Sequence, residues 1–224
     1  MKKFVIIVAG GSGSRMKETV PKQFMELQDY PVLMHTFNAF INYDSSVEFI
    51  LVLPKNQVEF WNELCEKHDF RIKYNLAFGG ETRFHSVKNG LNLIDEDGIV
   101  FIHDGVRPLV SVQTLQNCFE TAVDRGNALP VIPVAESVRF VDEDKNYSVD
   151  RSKHFIVQTP QTFKVGIIKD AFQQNYSDKF TDDASVLESF GKTINLVEGN
   201  RENIKITWPE DLIVAECFQK ALRI

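Results

Sequence analysis

The sequence predicts an α/β fold built on a doubly wound, mostly parallel sheet, with a β-hairpin arm projecting from it. Three observations predict it: apolar runs of strand length recur along the chain, helical spacings lie between them, and one later segment changes to short β-prone pieces around a polar turn. The runs are Phe4 to Ala9, Val47 to Leu53, Ile72 to Ala77, Gly98 to His103 and Ala128 to Val134, and they read as buried parallel strands. Between the first two, Leu33, Phe37, Phe40 and Ile41 mark a helical face, with Pro31 where a first turn tolerates a missing N–H. Val87, Leu91 and Ile94 mark a second face, and Val112, Leu115, Phe119 and Ala122 a third. Alternation at this length implies right-handed crossovers and places ligands beyond the carboxyl ends of the strands. Val138 to Val141 and Tyr147 to Val149 flank the turn-forming Asp142-Glu143-Asp144-Lys145-Asn146, so 137–159 reads as a hairpin excursion. Thr207-Trp208-Pro209-Glu210 reads as a capping box opening a last helix, with Val214, Cys217, Phe218 and Ala221 on one side. With no repeat and no linker, 1–224 is expected to form a single domain.

Composition narrows the function. The chain has 224 residues, 43% hydrophobic and 25% charged, which excludes disorder and low-complexity architecture. A net charge of -6 argues against a nucleic-acid or anionic-membrane binder. Any phosphate site must therefore be a local concentration of Lys and Arg. No apolar run reaches the ~20 residues of a membrane span, and the N-terminus enters a strand without a cleavage signature, so a cytoplasmic location is expected. Cys65, Cys118 and Cys217 form no CxxC pair and are expected as buried free thiols. His35, His68, His85, His103 and His154 show no metal-ligand spacing and are read as structural.

The chemistry is concentrated after the first strand, in Val8-Ala9-Gly10-Gly11-Ser12-Gly13-Ser14-Arg15-Met16 and on to Pro21-Lys22-Gln23-Phe24. Glycines let successive N–H groups point at one anion, and Arg15 and Lys22 add charge, which makes a phosphate cradle. A dinucleotide fingerprint would need glycine at Met16, and Gly191-Lys192-Thr193 lacks the Walker glycine because Val186 stands there. Asp104 follows the fourth strand, where a parallel sheet presents ligands, although an aspartate there is also a common turn former.

Here the sequence resembles the nucleotidyltransferases that activate sugar or alcohol phosphates, and most closely the 2-C-methyl-D-erythritol 4-phosphate cytidylyltransferase family. The resemblance is carried, in order, by the Gly-rich loop with Arg15 and Pro21-Lys22-Gln23-Phe24, then by Gly79-Gly80-Glu81-Thr82-Arg83-Phe84-His85-Ser86-Val87 with Gly90-Leu91. It continues through His103-Asp104-Gly105-Val106-Arg107-Pro108, Gln158-Thr159-Pro160-Gln161, Thr181-Asp182-Asp183-Ala184-Ser185 and Asn203-Ile204-Lys205-Ile206-Thr207. The resemblance implies a Rossmann-like fold of the nucleotide-diphospho-sugar transferase type, a homodimer joined through the 137–159 arm, and Mg²⁺. It also implies transfer of a cytidylyl group from CTP to the polyol phosphate, in the non-mevalonate route to isoprenoid precursors.

By the same resemblance, Arg15 and Lys22 stabilise the transition state while Arg151 and Lys205 position the acceptor phosphate. Ala9, Gly10, Gly11, Ser12, Gly13, Gly80, Glu81 and Ser86 fall to CTP, the Ser86 hydroxyl being equally suited to capping a helix. Asp104, Gly105, Arg107, Ser137, Thr159 and Thr181 fall near the acceptor, ribose or metal, with Asp104 a candidate metal ligand. Thr181-Asp182-Asp183 also reads as a helix cap with acidic first-turn residues, the reading preferred for it. The acceptor phosphate is already anionic, so cations and N–H groups should matter more than a general base.

Val8 stands where the family commonly has alanine, Gly105-Val106 where it has Ala-Ala, and Ser137 where it has threonine. The first two bear on pocket volume and base selectivity; serine keeps the hydroxyl. A ribitol 5-phosphate cytidylyltransferase shares the Gly-rich, Gln-Thr-Pro-Gln and Lys-Ile-Thr blocks. Ser86-Val87 with Gly90-Leu91, Val149-Asp150-Arg151 and Trp208-Pro209-Glu210-Asp211 favour the methylerythritol branch. A noncatalytic nucleotide-binding regulator is the reading from another class, and retention of Arg15, Lys22, Arg151 and Lys205 together argues against it.

Overall fold

The computed structural model describes residues 1–10 and 20–222. In chain order the elements are β1 (Lys3–Val8), β2 (Glu26–Leu27), β3 (Tyr30–Pro31), α1 (Val32–Tyr43), β4 (Glu48–Leu53), α2 (Val58–Lys67), β5 (Tyr74–Phe78), α3 (Arg83–Leu91) and β6 (Ile99–Asp104). They continue as α4 (Val112–Arg125), β7 (Asn127–Pro133), β8 (Arg139–Asp142), β9 (Lys145–Ser148), β10 (Phe155–Val157), β11 (Gln161–Lys164), α5 (Val165–Ala171), α6 (Asp183–Ser189), β12 (Leu196–Glu198) and α7 (Pro209–Leu222).

The five expected strands appear as β1, β4, β5, β6 and β7, but β5 is not buried as expected: it lies at the sheet edge and buries only Ala77. The sheet runs β10-β7-β11-β6-β1-β4-β5, with β12 pairing β7. Its centre is parallel: β1 lies between β4 and β6, with Ile6 opposite both Ile50 and Ile102. Antiparallel pairing enters through β11, which lies against β6 and β7, and through β10, which lies against β7.

Strand alternation sorts the core into two layers. Val5, Ile7, Phe49, Leu51 and Phe101 face α1, α2 and α4, where Phe37, Phe40, Trp61 and Leu115 are buried. Phe4, Ile6, Ile50, Val52, Val100 and Ile102 face the other way, onto Phe84, Val87, Leu91, Ile168, Phe172 and Leu187 of α3, α5 and α6. Covering both faces explains why the strands read as unbroken apolar runs. No helix among the described residues is long and apolar enough to cross a membrane.

Several local expectations change. At the expected capping box of α7, Asp211 rather than Glu210 reaches back: its Oδ2 accepts the N–H groups of Thr207 at 2.7 Å and Trp208 at 2.8 Å, while the Thr207 hydroxyl donates to the Lys205 carbonyl. The helix buries Ala215 and packs Leu212 and Phe218 inward, while Val214, Cys217 and Ala221 are exposed. Of the three free thiols only Cys118 is buried, and Cys65 is half-buried. Ile94 is buried beyond the end of α3 rather than on it. The arm is present as β8 and β9, with every residue of both strands exposed.

Close approach of α3 to the sheet depends on Gly90, where an added Cβ would lie 3.0 Å from Ile6 Cγ2 and 3.2 Å from Val52 Cγ2. Gly90→Val is therefore expected to destabilise the chain by about 1–3 kcal/mol, since a packed core resists added methyls. Urea unfolding would measure this, and an unchanged midpoint would show that α3 has room to retreat.

Candidate active site

A cavity of about 370 Å³ opens beyond the carboxyl ends of β1, β5 and β6, as a doubly wound sheet requires. Val8, Ala9 and Gly10 border it from β1, Gly80 to Arg83 and Ser86 from the turn into α3, Asp104 and Val106 from β6, and Lys22, Gln23 and Lys205 from connecting segments. Thr82 is the N-cap of α3, its hydroxyl accepting the His85 N–H, so the positive end of that helix borders the cavity. Ser86 is not the cap: its hydroxyl accepts the Gly80 N–H at 3.0 Å and donates to the Thr82 carbonyl at 3.0 Å. That bond draws Gly80 against the helix, where a Cβ would come within 2.4 Å of His85 Cβ.

Three cations converge on one carboxylate. Asp104 lies 2.9 Å from Lys205 Nζ, 3.5 Å from Arg107 Nε and 3.7 Å from Arg83 Nε. Burial alone would raise the Asp104 pKa, but the charges of Arg83, Lys205 and Arg107 outweigh it and hold the group well below the ordinary carboxylate range. Arg83 is itself anchored, donating Nη1 and Nη2 to the two oxygens of Asp183 at 2.7 Å each. Burial opposes the Arg83 charge, yet Asp183 and Asp104 together raise its pKa above the usual guanidinium value. Asp182 caps α6 in a reciprocal box with Ser185, which fixes Asp183 in the first turn.

The loop bearing Lys205 is held from behind. Gln158 Nε2 donates to the Asn200 carbonyl at 2.9 Å, and Arg107 Nη1 to the Asn203 carbonyl at 2.8 Å. Lys205 stands on extended chain outside any strand, stitched to the turn after β6 by the Ile206 N–H and the Val106 carbonyl at 2.9 Å. The buried Gln23 donates to the Ala9 carbonyl at 2.9 Å and to Gln57 at 2.6 Å, tying the Lys22 turn to the end of β1.

Of the residues singled out from sequence, Ala9, Gly10, Lys22, Gly80, Glu81, Ser86, Asp104 and Lys205 line this cavity. Gly105, Arg107 and Thr159 stand behind it; a Cβ on Gly105 would lie 2.9 Å from Ala9 Cβ. Gly11, Ser12, Gly13 and Arg15 lie outside the described residues. Ser137 and Arg151 are exposed on the arm and do not line the cavity, and the Arg151 guanidinium donates to the Ala135 carbonyl. Thr181 is exposed and borders a separate groove with Asp182 and Lys192. Arg83, Thr82 and Gln23 are site residues that sequence reasoning did not single out, although each stands inside a motif block it quoted.

Residues 3–221 match the family described as IspD, 2-C-methyl-D-erythritol 4-phosphate cytidylyltransferase. The chain belongs to this family. A cytidylyltransferase of that name from Bacteroides fragilis is 53% identical over 218 residues, covering 97% of this chain and 100% of the relative. Another, from Phocaeicola vulgatus, is 50% identical over 216 residues, covering 96% and 99%. Among solved structures, the Francisella tularensis enzyme is similar at a TM-score of 0.80 and 32% identity, covering 97% of this chain and 99% of that one. The 4-diphosphocytidyl-2C-methyl-D-erythritol synthase of Anaerococcus prevotii superposes at a TM-score of 0.82 and 26% identity, with 98% of each covered. Within the IspD family this chain places Val8 and Val106 on the cavity wall, so both departures from the expected alanines bear on its volume.

Asp183 is 1% exposed, and Arg83 is its charge partner. Arg83→Met is expected to lose about 3 kcal/mol of unfolding free energy, because it strands a buried carboxylate. Adding Asp183→Leu should recover most of that in urea titrations. A double variant no more stable than the single would place the cost elsewhere.

Proposed function

We propose that the protein joins CTP to 2-C-methyl-D-erythritol 4-phosphate, giving 4-diphosphocytidyl-2-C-methyl-D-erythritol and pyrophosphate. The observation that carries this reading is the convergence of Lys22, Arg83 and Lys205 on the cavity at the end of β1, in a chain of this family. In the reaction, an oxygen of the acceptor phosphate bonds to the α-phosphorus of CTP as the bond from that phosphorus to the β-bridging oxygen breaks. Pyrophosphate leaves with the electron pair. The attacking oxygen is already ionised, so the protein's task is to align two polyanions and stabilise the charge that builds between them.

Lys22 serves the triphosphate from one wall, and Arg15 is assigned to the same task. Lys205 lines the same cavity and is assigned to the acceptor phosphate, with Asp104 and the cations around it setting where that ammonium stands. Gly80, Glu81 and Ser86 border the space assigned to the base and ribose. Among the described residues no group of three His, Cys, Asp or Glu side chains could hold a metal. A Mg²⁺ here would be held chiefly by the substrate's own phosphates and water, since Asp104, the carboxylate assigned to it, is already engaged by Lys205, Arg107 and Arg83. When bound, Mg²⁺ would neutralise phosphate charge. The activity is assigned to one nucleotidyltransferase domain, 1–224, in the cytoplasm.

The direct test supplies each nucleoside triphosphate with 2-C-methyl-D-erythritol 4-phosphate or ribitol 5-phosphate and measures pyrophosphate release, with and without Mg²⁺. Release is expected with CTP and the methylerythritol substrate, dependent on Mg²⁺. Release only with ribitol 5-phosphate would overturn the substrate and keep the reaction class, whereas binding of CTP without release in any combination would favour a regulator.

The arm is assigned to a second subunit. Phe140, Val141 and Tyr147 are exposed on the hairpin, and Phe155 and Ile156 on β10, which belongs to the main sheet rather than to the hairpin, so the 137–159 segment presents a run of apolar surface to water. A twofold dimer with crossed arms would cover that surface and bring Ser137 and Arg151 to the partner's cavity. Lys22→Ala and Arg151→Ala are each expected to be poorly active alone. Randomly mixed, half the dimers are mixed and each has one intact site, so roughly a quarter of wild-type activity should return. No recovery in verified mixed dimers of folded subunits would place Arg151 in its own chain's site.

A further inference from the structure

Behind the cavity runs a hydrogen-bond chain through side chains that do not line it. His103 is fully buried at the end of β6, its ring edge-on to Phe40 with centroids 5.1 Å apart. Its Nε2 lies 2.9 Å from the Arg107 carbonyl and its Nδ1 3.0 Å from Thr159 Oγ1. A carbonyl only accepts, so Nε2 carries the proton. The ring is fully buried, and with its Nε2–H committed to that carbonyl a neutral ring leaves Nδ1 to accept from the Thr159 hydroxyl. The same hydroxyl accepts the Asp104 N–H at 3.1 Å. Every direction is thereby settled: Asp104 N–H to Thr159 hydroxyl, Thr159 hydroxyl to Nδ1, and Nε2–H to the Arg107 carbonyl. The two ends of this chain are the two ends of one turn, which the Arg107 N–H also closes onto the Asp104 carbonyl at 3.1 Å.

We propose that His103 and Thr159 are a positioning pair for the cytidylyl transfer, holding the main chain of the Asp104–Arg107 turn and so the carboxylate on which Lys205, Arg83 and Arg107 converge. The proposal rests on the function assigned above. His103 reaches the Arg107 carbonyl with one ring nitrogen and the Thr159 hydroxyl with the other, and Thr159 reaches the Asp104 amide from the chain between β10 and β11, so the end of β6 and that connection meet at one hydroxyl. A pair that merely filled space would not need that hydroxyl. Displacement of a reacting constellation by about 1 Å can cost on the order of 10²-fold in rate, which is the scale on which a loosened turn should register.

The test compares Thr159→Val, which removes the hydroxyl, with Thr159→Ser, which keeps it. Thr159→Val is expected to lower kcat by about 10- to 10²-fold with KM for CTP within ~3-fold, while Thr159→Ser stays within ~3-fold of wild type in kcat. Amide exchange at Asp104 should be slow in the wild type and in Thr159→Ser and faster in Thr159→Val. A folded Thr159→Val with wild-type kcat, or a Thr159→Ser as impaired as Thr159→Val, would overturn the proposal. Should Thr159→Val not fold, ¹⁵N shifts of the wild-type His103 ring decide: the Nε2–H tautomer is expected, and an Nδ1–H tautomer would overturn it. If the wild type releases no pyrophosphate, the assigned reaction fails, while ring tautomer and Asp104 exchange still judge the pair.

Discussion

The site is organised around one carboxylate. Asp104 closes the central strand β6 and holds Lys205, Arg107 and Arg83 within 2.9–3.7 Å, three cations from three separate stretches of chain. Cations this close repel one another unless an anion lies between them, and at a partly desolvated strand end that repulsion is little screened. The Asp104 charge is therefore the condition under which the others can stand together. Each brings a further contact: Arg83 reaches α6 through Asp183, Arg107 grips the 200–207 loop through the Asn203 carbonyl, and Lys205 enters on that loop.

This arrangement reconciles an acidic protein with a polyanionic substrate class. The net charge of -6 gives no general attraction for phosphate. The cavity instead gathers Lys22, Arg83 and Lys205 on a wall whose only described carboxylates are Glu81 and Asp104. Field lines in a cleft with low-dielectric walls are focused, so a few fixed cations count for more there than many on an open surface.

Much of the fold was legible because strands covered on both faces leave unbroken apolar runs, and β1, β4, β6 and β7 each left one; β5, at the sheet edge, left a run broken by Lys73 and Asn75. β11 was not legible as a strand because Gln161-Thr162-Phe163-Lys164 is short and polar at three of its four positions; the buried Gln161 is satisfied at the start of α6, donating to Asp182 and accepting the Ala184 N–H. The inward side of α7 was misread because Val214 and Cys217 look like core residues, while the small Ala215 is the one that fits beneath. In the site, glycines and cations after β1 announced themselves by local spacing. Arg83 did not, since its meaning comes from Asp183, 100 residues away, a separation at which one sequence carries no pairing signal. His103 reads as structural by the same logic: an isolated imidazole shows nothing of Thr159 until β6 and β11 lie side by side.

The hairpin of β8 and β9 bears on what selection can act upon. Its rings of Phe140 and Tyr147 stack on each other, 5.1 Å apart, and both stay exposed. A two-stranded ribbon alone is marginal in water, so these residues contribute little to the free energy that keeps the rest of the chain folded. In a lone subunit, substitutions there would leave the stability of the core nearly untouched, whereas in a dimer joined through the arm they would register in melting temperature and its concentration dependence. The sequence of the arm is thus free of the constraint that governs the core, and answers only to whatever surface it meets.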